Sequence, residues 1–252
     1  MKKLELILIS LWAIPAFFLA WFFSPNYIVS ALIFYLPLAV FLSIRLGNHS
    51  RRVGLVSFLI TLPSVTILDY FGHKDGSWFN PSLIGVRIFG EFPVEDFLWF
   101  FLFVYTVIGA YEYLFDDGRV SSGAWKIRNI RLYSLVITFV FCITTPVFFS
   151  DFSIPYFYAI ACATFFIAAP LIGVLFFRKL KKVFLLLPIF ATSFFLYELV
   201  SVMRGHWFFP GDHFLAKSSL FGVMVPVEEL FWIFLIAPAG VVLYELIADD
   251  RK

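Results

Sequence analysis

The sequence predicts an all-α integral membrane protein of about eight transmembrane helices, arranged as two parallel four-helix repeats, and three observations lead there. Hydrophobic residues make up 62% of the chain and charged residues only 14%, well under the roughly 25% charge of a soluble domain. Apolar runs of about 20 residues, the length that crosses a ~30 Å hydrocarbon core, recur throughout. One acidic motif is written twice: Phe92 to Phe100 reads Phe-Pro-Val-Glu-Asp-Phe-Leu-Trp-Phe, and Val225 to Ile233 reads Val-Pro-Val-Glu-Glu-Leu-Phe-Trp-Ile.

In chain order the predicted spans are residues 4–23, 27–46, 53–71, 93–114, 132–149, 154–177, 183–203 and 226–247. The first follows Met1-Lys2-Lys3, but it is too long for a signal peptide and ends without a small-residue cleavage pattern, so it is read as a span. Pro15, Pro37 and Pro63 lie inside spans, where membrane helices tolerate them. Span three ends at Asp69, and a loop with His73, Trp78, Asn80 and Arg87 leads to Pro93. Span seven ends at Glu198, and a loop with His206, Trp207 and His213 leads to Pro226. A proline suits the first position of a helix, where its missing N–H has no intrahelical partner, so Pro93 and Pro226 are expected to open their helices.

An offset of 133 superposes the two motifs and also Pro37 on Pro170, Arg45 on Arg178, Trp99 on Trp232 and Tyr111-Glu112 on Tyr244-Glu245. An offset of 129 superposes Asp69 on Glu198 and Trp78 on Trp207, because the second loop is shorter. The chain thus divides into a first unit at 1–120, a polar linker at 121–131 and a second unit at 132–252. Four spans per unit is an even number, so the units run parallel, related by an axis along the membrane normal. Fifteen of the 19 Lys and Arg residues fall on the side of the N-terminus, which places both termini in the cytoplasm of a cell membrane. A formal net charge of +2 points to no nucleic-acid partner. Cys142 and Cys162 sit in apolar runs and match no disulfide or metal spacing.

Six acids form the candidate catalytic set: Glu95, Asp96, Glu228 and Glu229 in the motifs, with Asp69 and Glu198 at the span ends. Acids in a first helical turn offset the macrodipole by ~0.3–1 kcal/mol, which accounts for one acid but poorly for two in a row, twice. An acid facing lipid costs roughly 2.5–3.5 kcal/mol at a helix centre, so these should face inward. Trp78, Trp99, Trp207, Trp232 and Asn80 are the candidate substrate contacts, since tryptophan faces stabilise cations. The histidines show no His-x-x-x-His or Glu-x-x-His spacing, so no metal site is expected. Tyr111-Glu112 and Tyr244-Glu245 lie ~27 Å along their helices from the prolines and read as structural.

Proline, one residue, then Glu with Glu or Asp, repeated in register across two membrane units, resembles the lycopene cyclase domain family in its fused form. The acids Asp69 and Glu198 and the loop residues Trp78 and Trp207 extend the resemblance over both halves. It implies an isomerase, a lycopene β-cyclase that closes the linear ends of lycopene to β-carotene through γ-carotene. It also implies no flavin or nicotinamide, and the chain has no Gly-x-Gly-x-x-Gly. The expected partners are the lipid-dissolved linear carotenoid, the membrane and other carotenoid-pathway enzymes. Such chemistry needs a proton donor, a cation-tolerant aromatic cavity and a base in a dry place. Which carboxyl plays which part stays open at this level. The alternative, from another class, is a proton- or cation-coupled carrier with carboxylates at the repeat interface. For the cyclase, both acid pairs are expected to converge on one cavity, and Glu95→Gln or Glu228→Gln to abolish cyclisation.

Overall fold

The computed structural model describes residues 2–116, 140, 144–145, 147–148, 153–168 and 183–248. The predicted linker 121–131, most of span 132–149 with Cys142, the end of span 154–177, Pro170 and Arg178 lie outside these residues.

The described chain is mostly helical. Helices α1 (Lys2–Leu11) and α2 (Ala13–Phe23) form one apolar stretch, followed by α3 (Tyr27–Leu46) and α4 (Ser50–Asp75). Asn26 caps α3 by accepting the Val29 N–H at 3.0 Å, and a 3-10 turn at Gly47–His49 joins α3 to α4. Strands β1 (Arg87–Ile88) and β2 (Phe92–Pro93) precede α5 (Asp96–Tyr111). Helix α6 (Phe157–Ala161) continues as a π-helical segment, Cys162–Ala168, and α7 is Val183–Met203. Strands β3 (Lys217–Leu220) and β4 (Val223–Pro226) then lead into α8 (Glu228–Ala248).

Four stretches among the described residues are long and apolar enough to cross a membrane: Leu4–Phe23, Tyr27–Asp75, Asp96–Phe115 and Leu186–Met203. Their outward faces carry Phe22, Phe23 and Ile44, all more than 70% exposed. Such faces would aggregate in water and match a hydrocarbon surround. Inside, α3 and α4 pack on α5, and α7 packs on α8 and α2. An aromatic cluster knits α3, α5 and α7 together: Tyr197 meets Phe34 and Tyr35 with ring centroids 5.3 Å apart, and Phe103 meets Phe194 at 5.1 Å.

The prolines do not open their helices as the sequence suggests. Pro93 pairs with Arg87 in the β1–β2 ladder, and Pro226 pairs with Lys217 in β3–β4. Each helix starts two or three residues later, at Glu228 and at Asp96. The reason is the hairpin before each motif. Phe89-Gly90 and Phe221-Gly222 all have positive φ, as the centre positions of an I′-type turn require; Phe221-Gly222 closes a two-residue hairpin, whereas Phe89-Gly90 lies in a three-residue loop because Ile88 pairs with Phe92. Proline ends each second strand at the hairpin's base, so the hairpin sets where the acids enter the helix.

Candidate active site

One pocket lies where α4, α5, α6, α7 and α8 meet the two loops, with about 570 Å³ of empty space, its open mouth included. Asp69, Glu198 and Glu229 line it, together with Trp78, Trp99, Trp207, Trp232 and Asn80. Eight of the eleven residues singled out in the sequence thus share one cavity.

The first corner is built from α4 and its following loop. Trp78 Nε1–H donates to Asp69 Oδ1 at 2.9 Å. The indole lies so close to α4 that a Cβ on Gly72 would sit 2.3 Å from Trp78 Cζ2, so only glycine admits it. Asp96, fully buried at the start of α5, stands just behind the pocket wall. Its Oδ1 accepts from Asn80 Nδ2 at 2.6 Å and from the Tyr27 hydroxyl at 3.3 Å. Asp69 is its strongest charged neighbour, and no hydrogen bond joins the two among the described residues. Arg87 fixes the loop by donating to the Asn80 carbonyl at 3.1 Å and to the Glu91 carbonyl.

The second corner has a different wiring. Trp207 Nε1–H donates to Glu198 Oε1 at 2.5 Å, and the Tyr158 hydroxyl donates to Glu229 Oε2 at 2.5 Å. Glu198 and Glu229 both line the pocket. Both are only 4% exposed.

The four tryptophans cross between the corners. Trp99 stacks on Trp207 with centroids 6.2 Å apart and planes at 27°, while Trp232 approaches Trp78 at 6.4 Å. Tyr158 meets Trp78 edge-on at 5.0 Å. The cavity wall is therefore largely aromatic faces, the surface a developing cation prefers.

Glu95 and Glu228 do not join this cavity, contrary to the expected convergence of both acid pairs. Glu95 turns into the preceding loop, where its carboxyl accepts the N–H of Leu83 at 2.8 Å and of Ile84 at 2.6 Å, and the Ser82 hydroxyl at 3.1 Å. Burial alone would raise its pKa, but these donors outweigh it and hold the carboxyl below its ordinary value. Glu228 accepts the N–H of Leu215 at 2.7 Å in the matching loop. Adjacent residues at a helix start point about 100° apart, so one acid of each motif ties the loop while the other turns toward the cavity.

The histidines are structural in geometry. His73 Nδ1 lies 2.8 Å from the Asp69 carbonyl, His206 Nε2 lies 3.0 Å from the Pro25 carbonyl, and His213 Nδ1 lies 2.7 Å from Asp75. Burial holds the His206 imidazole below its ordinary pKa. No three of His, Cys, Asp and Glu come together as a metal set among the described residues. At the far ends of α5 and α8, Tyr111 donates to Glu245 at 2.5 Å and Tyr244 to Glu112 at 2.8 Å.

Sequence reasoning missed Tyr27 and Tyr158, which hold the inward-turned acids Asp96 and Glu229. A signal was present: each follows a proline, Pro25 or Pro155, at a span start, and an offset of 131 aligns them. Searched against family models, curated proteins and solved structures, the chain finds no match in any of the three.

Proposed function

We propose that this chain is a membrane lycopene β-cyclase, converting the linear ends of lycopene to β rings by acid–base chemistry in the tryptophan-walled pocket. One observation carries the reading: two buried carboxyls, Glu198 and Glu229, line one cavity with four tryptophans. A proton held in a dry aromatic site is what an alkene must meet in order to be protonated.

The Glu198–Glu229 pair gives its proton to the terminal double bond of the linear end, leaving a tertiary cation. The neighbouring double bond supplies its electron pair to that cation, a ring C–C bond forms, and the positive charge moves into the ring. A base then removes a ring proton, and its C–H electrons become the ring double bond. One proton enters and one leaves, so the formula is unchanged and no electrons are transferred. The base falls to Asp69, the acid of the opposite corner that lines the same pocket, with Asp96 behind it. Trp99 and Trp232 face the cationic stage. Flavin and nicotinamide have no step to perform in this scheme.

The same reading carries eight spans in two parallel four-helix units with both termini cytoplasmic. Reciprocal contacts between sequence-equivalent residues support it. Phe79 and Phe208, equivalent at the 129 offset, bond to each other through both backbone pairs at 2.9 and 3.0 Å. Tyr111–Glu245 is answered by Tyr244–Glu112, and Trp99–Trp207 by Trp78–Trp232. Contacts of residue i with j and of j with i are the mark of an isologous, two-fold arrangement.

Pigment is the test. Cells that make lycopene and express this chain should turn from red to orange-yellow, and its membranes should convert lycopene with no added cofactor. Unchanged red pigment with the protein present in the membrane would leave the carrier reading in its place.

A further inference from the structure

We infer that the lipid-facing groove between α7, α8 and the β3–β4 hairpin is the seat of the substrate's polyene tail, with the reacting end passing between Glu198 and Glu229 into the inner pocket. The inference rests on the cyclase reading and adds to it a route and a second binding site.

The groove holds about 440 Å³ of empty space, its open side included, and is walled by Leu199, Val202, Val225, Leu230 and Ile233. It is apolar except at two residues, Glu198 and Glu229, and these same two line the inner pocket. The carboxyl pair is therefore the partition between the two cavities. Protonated carboxyls can border a hydrocarbon groove without an exposed charge.

Chemistry identifies the occupant. The inner pocket, walled by four tryptophans and bearing the carboxyls, is where the cyclase reading puts the reacting end of the polyene. The remainder is a long apolar rod that must stay out of water, and the groove that meets the pocket at the acids offers an apolar bed. Leu230 on the groove rim is 46% exposed and faces outward from α8, so the groove opens on the hydrocarbon surround from which such a molecule would come. With the tail in the groove and the end in the pocket, the terminal double bonds lie beside the carboxyls as they pass. One contact surface then both guides and protonates the substrate.

Filling the groove separates tail binding from chemistry. Val202→Trp and, as a second variant, Leu199→Trp place an indole in the groove and leave the inner tryptophan walls untouched. Conversion is measured with full-length lycopene and with a half-length acyclic polyene bearing the same end. Lycopene conversion should fall at least about tenfold, a loss of ~1.4 kcal/mol, while the half-length substrate keeps its wild-type rate. The groove is overturned if either membrane-resident variant cyclises lycopene at the wild-type rate, or if both substrates fall equally in both variants. A wild-type protein inert on both substrates would overturn the cyclase reading along with it, so the two failures are distinct.

Discussion

The two corners of the pocket are built to one plan and differ in arm length. The first has Asp69 and Asp96, with Asn80 between loop and helix; the second has Glu198 and Glu229, with Phe209 where the 129 offset places the counterpart of Asn80. Each glutamate is one methylene longer than its aspartate counterpart. In the second corner Glu198 takes the Trp207 N–H and Glu229 the Tyr158 O–H, whereas in the first Asp69 takes the Trp78 N–H and Asp96 takes two donors, from Asn80 and Tyr27. In the proposed scheme the second corner supplies the acid and the first the proton acceptor. Paired groups whose surroundings drive them to different protonation states are a recurrent basis of acid–base catalysis.

The largest effect on this comparison should come from removing an acid of the second corner. Glu198→Gln and Glu229→Gln each keep shape but break the carboxyl pair, and the rate should fall by roughly 10²–10⁴-fold, the usual worth of a positioned acid. Pigment conversion in membranes measures it, and full β-carotene production by both variants would remove the pair from the mechanism.

Arm length gives a finer test. Glu229→Asp withdraws the carboxyl from Glu198 while keeping an acid, so activity should fall by about tenfold or more, a barrier change of ~1.4 kcal/mol. The variant's pH–rate profile should shift as the pair separates, and an unaltered profile would argue that the pair does not act as a unit.

Next come the tyrosines that hold the inward-turned acids. Tyr158→Phe removes a 2.5 Å bond to Glu229 and Tyr27→Phe a 3.3 Å bond to Asp96. Hydrogen bonds to charged groups are worth ~1.5–3 kcal/mol, so the shorter one should matter more for turnover. Equal, small effects on the conversion rate would erase the asymmetry between corners.

The loop-tying acids should affect stability more than chemistry. Glu95→Gln keeps an acceptor but loses the charge, at a cost of about 1 kcal/mol in thermal unfolding, and the folded variant should still cyclise. Because the folded pKa of Glu95 lies below its ordinary value of 4.5, the carboxylate's contribution is full above that value and fades as the pH falls through the folded one. The gap between wild type and Glu95→Gln in the unfolding midpoint should therefore close on acidification below about pH 4.5. Abolished turnover in a stably folded Glu95→Gln would return this acid to the catalytic set. Smallest of all, Tyr111→Phe and Tyr244→Phe at the far helix ends should each lower stability by about 1 kcal/mol and leave the conversion rate unchanged.

Much of this was legible in the residues alone. The composition and the apolar runs determined a helical chain suited to lipid, because nothing else satisfies so many backbone groups among so few polar side chains. The doubled motif marked the acids, and the loop tryptophans marked the corners, since charge and indole are both costly to waste in an apolar chain. The hairpins were not seen, because Phe-Gly is a weaker turn signal than Asn-Gly and the strands are only two to four residues long. That error misplaced the prolines and with them the first turn of each helix.

What only the tertiary structure decided is which acid of each pair turns to the cavity side and which ties the loop. Two consecutive residues at a helix start are equivalent in a sequence, and they part by about 100° around the axis. The choice between them was made by partners remote in the chain. Leu83 and Ile84 drew Glu95 into the loop, while Tyr27, 69 residues away, met Asp96. Tyr158, 71 residues away, met Glu229. A buried carboxyl goes where donors await it, and those are assembled by packing, not by local order.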